Sequence, residues 1–215
     1  MRPLIKLDSM KATMKTLSAI LICCFISTIQ MYGENIQRPE SENYVKGVEA
    51  LNEGNPEAAY TYLNAEINEH PDNGYAHCYM ALICNFCNDT KLALQALNSS
   101  LELIPEADTE YRSFAHYSRG VLLTNLKMWE RAEADLNEAI RLNPEDVENY
   151  KSRAQLYFET ERYEESLNDL TRALKLDSKA DVNDLVLQLM AVAPTSEFME
   201  RITATYQQLD QVTIH

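Results

Sequence analysis

Cys84-Asn85-Phe86-Cys87 is a C-x-x-C string, and Cys78 lies six residues before it. In an exported protein that spacing invites thiol–disulfide chemistry, with Cys84 and Cys87 as the pair. Such motifs work at a helix N-terminus, where the dipole lowers the thiol pKa. Here all three cysteines fall inside one helical stretch, with the pair near its C-terminal end. Packing is therefore the first reading, a structural Cys84–Cys87 disulfide the second, and redox or metal chemistry the third. The four histidines, His70, His77, His116 and His215, form no metal-ligand spacing. His77 and His116 take equivalent core-facing places, which explains them without chemistry. No H-E-x-x-H, P-loop, G-x-G-x-x-G or G-x-S-x-G string occurs. Carboxylates such as Glu130, Glu133 and Asp135 are expected on solvated helix faces. Nothing assembles a nucleophile, a base and an oxyanion site, so the expectation is a protein that is not an enzyme and uses no cofactor and no metal.

The elements that must position these residues repeat every 34 residues. Residues 40–73 carry Glu69-His70-Pro71 near their end, and residues 74–107 carry Leu101-Glu102-Leu103-Ile104-Pro105. Residues 113–146 carry Ile140-Arg141-Leu142-Asn143-Pro144, and residues 147–180 carry Leu174-Lys175-Leu176-Asp177-Ser178, with Ser in the proline place. Gly47, Ala81, Gly120 and Ala154 share the eighth place. Ala59, Ala93, Ala132 and Ser166 share the twentieth, and Leu63, Leu97, Leu136 and Leu170 the twenty-fourth. Small residues let two helices approach and leucines fill the space between them. Gly54-Asn55-Pro56 and Asn88-Asp89 supply turns between the helices. With only five glycines and abundant Ala, Leu and Glu, the composition suits an all-α chain. A unit of this length cannot bury its own apolar face, so it must stack on its neighbours.

This pattern resembles the tetratricopeptide repeat family, a helix–turn–helix repeat of 34 residues. The third unit fits best, through Gly120, Leu123, Trp129, Ala132, Leu136, Ala139 and Pro144. The fourth fits through Tyr150, Ala154, Tyr157, Tyr163, Leu170 and Ala173. The resemblance covers residues 40–180 and implies a superhelical solenoid with C-terminal capping helices. It divides the chain into residues 34–39 as a linker, four repeats at 40–73, 74–107, 113–146 and 147–180, an insertion at 108–112, and a helical cap at 181–215. The insertion is read as a longer loop or an extended helix.

The resemblance also implies that the first helix of each unit lines a concave groove. Carried over, the groove receives Tyr44, Val48, Leu51 and Asn52, then Tyr75, Cys78, Tyr79, Leu82, Asn85 and Phe86. The third unit adds Phe114, Tyr117, Val121, Thr124 and Asn125, and the fourth adds Lys151, Gln155, Phe158 and Glu159. Aromatics bury large areas at low entropic cost, and amides can bond a ligand backbone. Tyr75, Tyr79, Asn85, Phe86, Tyr117, Asn125 and Phe158 are the expected partner-binding residues, for an extended peptide or an amphipathic helix. The bland alternative is that single aromatics pack between repeats. Family members that grip acidic chaperone tails use Lys, Asn and Arg to clamp carboxylates. Tyr44, Val48, Tyr79, Phe114 and Ser118 stand at those places here, which argues against that ligand.

The chain has 33 acidic and 19 basic residues, a net charge of −14. Such a surface repels phosphate backbones and anionic headgroups, so nucleic acid is not an expected partner. Lys11 and Lys15 precede an apolar run from Leu17 to Ile29, short for a membrane span and suited to a signal-peptide core, with cleavage after Gly33. Residues 1–33 are thus read as an export segment, with an uncleaved anchor as the alternative, and the compartment as the periplasm or cell envelope. Ile22 before Cys23 does not suit a lipidation site. After the repeats, Val182–Val192 and Glu197–Leu209 are expected helices, with stripes Leu185, Leu189, Val192 and Phe198, Ile202, Tyr206, Leu209. Thr195 or Ser196 can cap the second. Taken together, the expectation is an exported, non-catalytic binding module or scaffold. Its rivals are a self-assembling structural protein joined through terminal helices and, third, a thiol-redox protein.

Overall fold

The computed structural model describes residues 36–192 and 195–212, with side chains except at 206 and 208–212. The expected export segment, Pro194, His215 and the side chains of Tyr206 and Leu209 lie outside that description. Ten helices and no strands occur among the described residues. No helix there is long and apolar enough to cross a membrane. The chain divides into two compact units, the first ending at Asp108 and the second beginning at Thr109.

The first unit holds α1 (Glu42–Asn52), α2 (Pro56–Glu69), α3 (Gly74–Phe86) and α4 (Thr90–Leu103). The second holds α5 (Thr109–Asn125), α6 (Trp129–Leu142), α7 (Val147–Glu159), α8 (Tyr163–Leu176), α9 (Asn183–Val192) and α10 (Ser196–Val212). The second helix of every pair, α2, α4, α6 and α8, has 14 residues and starts at the same repeat place. Helix α5 has 17 residues, so residues 109–112 of the insertion are an added helical turn rather than a loop.

Each pair turns through the same backbone device. The residue at the fifteenth place is left-handed in all four repeats: Gly54 (φ 71°), Asn88 (59°), Lys127 (58°) and Glu161 (61°). Its N–H bonds back three residues, and the next N–H bonds back five. In the first repeat these bonds are Gly54 N to Leu51 O, 2.9 Å, and Asn55 N to Ala50 O, 2.8 Å. Cys84, Leu123 and Tyr157 carbonyls accept the second bond in the other three. This two-bond Schellman closure satisfies carbonyls that the helix end would leave orphaned. Only one of the four positions uses glycine, the residue that adopts this φ without strain.

Packing follows the small-residue register. Ala59, Ala93, Ala132, Ser166, Leu63, Leu97, Leu136 and Leu170 are all at most 2% exposed. A Cβ added at Gly47 would stand 2.7 Å from Leu63 Cγ, and one at Gly120 would stand 2.7 Å from Leu136 Cγ. Glycine at those two places is therefore fixed by close approach rather than by φ. In the second unit, Leu185, Val186 and Leu189 of α9 and Phe198 and Ile202 of α10 bury against Leu167, Leu170 and Ala173 of α8. Helices α9 and α10 thus cover the last pair, as the expected cap does. Thr195 Oγ1 accepts from Phe198 N at 3.1 Å and caps α10. Val192, placed in the buried stripe from sequence, is 37% exposed instead. Val186 fills that role, because the helix turns 100° per residue and carries it beside Leu189.

Candidate functional site: the inner faces of the first helices

In the first unit, Tyr44, Tyr75, Cys78 and Tyr79 are all buried. Tyr44 and Tyr79 pack ring to ring at 6.1 Å, tilted by 54°. The Tyr75 hydroxyl donates to Asp108 Oδ2 at 3.0 Å. Asn85 is exposed, and Leu82 and Phe86 are half-buried. Of the residues expected to bind a partner here, Asn85 and Phe86 thus reach the surface, while Tyr75 and Tyr79 are part of the packing.

The residues at the corresponding places of the second unit are less buried. Phe114 and Tyr117 of α5 stack at 6.4 Å, 24° apart, and both are half-buried. Burial, reinforced by the charge of Glu148, raises the Tyr117 phenol above its ordinary pKa, with Ser152 beside its hydroxyl opposing. Phe158 of α7 is half-buried, 5.7 Å from the Tyr163 ring, and Asn125 is exposed. Lys151 Nζ sits 2.7 Å from Glu148 Oε1, and Gln155 Nε2 donates to Glu159 Oε1 at 2.9 Å. Between α7 and α9 lies a recess of about 180 Å³ whose walls include Lys151, Gln155, Asp181, Asp184 and Leu185. Two expected groove residues, Lys151 and Gln155, therefore share a concavity with the cap helix.

Charged clamps hold the helix pairs of the second unit. Arg119 grips Asp135 side-on, Nε to Oδ2 at 2.7 Å and Nη2 to Oδ1 at 2.8 Å, and His116 Nδ1 adds a contact at 2.9 Å. Arg153 grips Asp169 in the same way at 2.7 and 2.8 Å, and also donates to Asn137. Burial alone would raise the Asp135 pKa, but the Arg119 and His116 hydrogen bonds outweigh it and hold the carboxyl low. Glu133 accepts from the Tyr157 hydroxyl at 3.1 Å and from Arg162 Nη1 at 2.8 Å. Asp135 and Glu133 are thus not the solvated carboxylates expected from sequence. Arginines 16 or 29 residues away draw them in, a pairing that periodicity does not reveal. His77 meets the Pro71 carbonyl at 3.0 Å, so both half-buried histidines have structural hydrogen-bond partners.

Cys78, Cys84 and Cys87 are free thiols, the first two buried and the third exposed. Burial pushes the Cys78 thiol up to about 12, with the Ser100 hydroxyl beside it pulling the other way. Burial raises Cys84 too, with the charges of Asp89 and Cys87 adding to it. Both shifts run against the thiolate that redox chemistry needs. Among the described residues, no group of three His, Cys, Asp or Glu could hold a metal ion.

Paired helices of fixed length, a shared turn and a shared small-residue register define an all-α helical-repeat scaffold. Models of the tetratricopeptide repeat match residues 113–146 and 148–179. The chain carries tetratricopeptide repeats over those residues. It is 24% identical over 143 residues to human tetratricopeptide repeat protein 6, covering 66% of this chain and 26% of that one. It is 30% identical over 87 residues to a lipoprotein NlpI homolog of Haemophilus influenzae, covering 40% of this chain and 28% of that one. The matched stretch spans about a quarter of the length of these curated relatives. MamA from Desulfovibrio magneticus RS-1 has the same fold, with a TM-score of 0.64 at 18% identity over 80% of this chain and 93% of that one. A second MamA crystal structure gives 0.63 at 13% identity over 79% and 97%.

Proposed function

We propose that this chain is a non-catalytic protein-interaction module of the cell envelope, and that its second unit presents the inner face of α5 and α7 to a partner. The repeat assignment supports a protein-interaction or scaffold role. The observation that carries the finer reading is that Phe114, Tyr117 and Phe158 are only partly buried, with Asn125 exposed at the end of α5 and Gln155 of α7 in the recess against α9. Aromatic bodies with amides at the rim suit an extended peptide or one face of a helix. Asn85 and Phe86 offer a smaller surface of the same character in the first unit. The similarity to a lipoprotein homolog and the apolar run in residues 1–33 support the compartment. Crosslinking the full chain in envelope extract tests the surface, with Asn125→Ala plus Phe158→Ala as the control. A protein captured by the native chain and lost from the variant is the expected result. One retained by the variant moves recognition to another face.

A second reading, self-assembly through the cap, is favoured by Leu187, which is 56% exposed on α9, and by Val192, 37% exposed at the end of the same helix. Light scattering after size exclusion of the native chain and of Leu187→Lys decides it. A monomer in both removes self-assembly.

A further inference from the structure

The segment before α1 is not helical, yet it is anchored in the first unit. Residues 36–41 have no regular secondary structure. From this segment Arg38 reaches Asp108, with Nε 3.1 Å from Oδ2 and Nη2 3.3 Å from Oδ1. The Tyr75 hydroxyl donates to Oδ2 from the other side at 3.0 Å. The carboxylate side chain is 1% exposed and the arginine 25%. The acid is therefore buried, and the guanidinium that reaches it remains partly open to solvent. A buried carboxylate is stable only with donors that match its charge. Two-point, side-on contact is a property of the planar guanidinium and not of an ammonium.

The other buried clamps differ in one respect. Arg119 and Arg153 sit on helices and grip a carboxylate of the paired helix in the same repeat. Arg38 comes from outside every helix, so another guanidinium can replace it without unwinding a repeat. A chain with net charge −14 draws basic segments towards it.

We propose that Asp108 and Tyr75 form an arginine-binding site in the first unit. It takes the guanidinium of an extended peptide and is filled in this structure by the chain's own Arg38. The site is independent of the second-unit surface proposed above. Because the segment is tethered directly to α1, Arg38 acts at an effective concentration on the order of millimolar or more, and the native chain holds the site closed.

Fluorescence anisotropy with the full chain carrying Arg38→Ala is the test. The probe is a labelled hexapeptide, Ile-Gln-Arg-Pro-Glu-Ser, the sequence of residues 36–41. Expected are binding at least about tenfold tighter than to the native chain, weakening when the peptide arginine is lysine, and loss when it is alanine. Adding Asp108→Asn to Arg38→Ala removes the binding. Equal binding of the arginine and alanine peptides, or no gain over the native chain, overturns the site. Should Arg38→Ala unsettle the fold, Arg38→Lys keeps the charge with a single contact. The arginine peptide must then raise the Tm of that variant, and a Tm unmoved by peptide overturns the site equally.

Discussion

The two units build the same helix pair with opposite allocations of good local chemistry. In the first unit the turns are well made: Gly54 and Asn88 take the left-handed place, and Asn55 and Asp89 cap the next helix through their side chains. In the second unit Lys127 and Glu161 take that place, and Met128 and Arg162 follow with no side-chain cap. The packing reverses the order. At the twenty-seventh place the first unit buries Glu66 and Ser100, whereas the second buries Ala139 and Ala173. Across the helix pair the second unit has the Arg119–Asp135 and Arg153–Asp169 clamps. The first has Lys46 over the Tyr62 ring at 5.7 Å and a buried Met80 with Ala96. A helix pair therefore tolerates poor turns if its interface is good, and a polar interface if its turns are good.

The largest effect should be common to both units and would break the comparison if it were not. Leu63→Ala and Leu136→Ala remove fully buried side chains and should each cost about 3 kcal/mol in urea denaturation. A loss below about 1 kcal/mol for Leu63 would mean that the first unit does not rest on its leucine core.

The clamps should separate the units next. Arg119→Ala leaves the buried Asp135 with His116 alone and should cost about 2 kcal/mol at neutral pH. Lys46→Ala, at a half-exposed side chain whose ion pair with Glu42 is screened by water, should leave stability unchanged within measurement. The pH dependence has a definite sign. The folded Asp135 pKa lies below the ordinary carboxylate value near 4, so its contribution is complete above that value. It disappears as pH falls through the lower, folded pKa. Acid titration of stability should be shallower over that window in Arg119→Ala, and an unchanged slope would remove the clamp from the account.

Turn repair should act in the opposite direction and on the second unit alone. Lys127→Gly relieves a left-handed side chain, and Met128→Asp supplies a missing cap. Each should add about 1 kcal/mol to thermal stability. Gly54→Ala in the first unit should subtract a similar amount. The smallest readout is chemical and leaves stability untouched. In an Ellman titration of the native protein, of the three cysteines among the described residues Cys87 should react first, Cys84 more slowly and Cys78 only on unfolding. Rapid loss of Cys84 together with Cys87 would reopen the redox reading.

The pair register was legible because it rests on size alone. Gly47, Leu63, Gly120 and Leu136 meet as their spacing requires. The clamps were not, because periodicity places Asp135 on a helix without showing that Arg119 and His116 converge on it. The groove was half legible. Repeat place tells which way Tyr75 and Tyr79 point, but not that Asp108 and Tyr44 will bury them. The added turn of α5 was left between loop and helix, since Thr109-Glu110-Tyr111-Arg112 lacks both a glycine and a repeat partner.

Trp129, the first residue of α6, is the only tryptophan in the chain. Its indole is half-buried at a turn that lacks a side-chain cap. Tryptophan emission therefore reports on the second unit alone, while far-ultraviolet dichroism sums the helices of both. Melting curves taken by the two methods give each unit its own readout without any label, and their separation measures directly how tightly the halves of the chain share one cooperative transition.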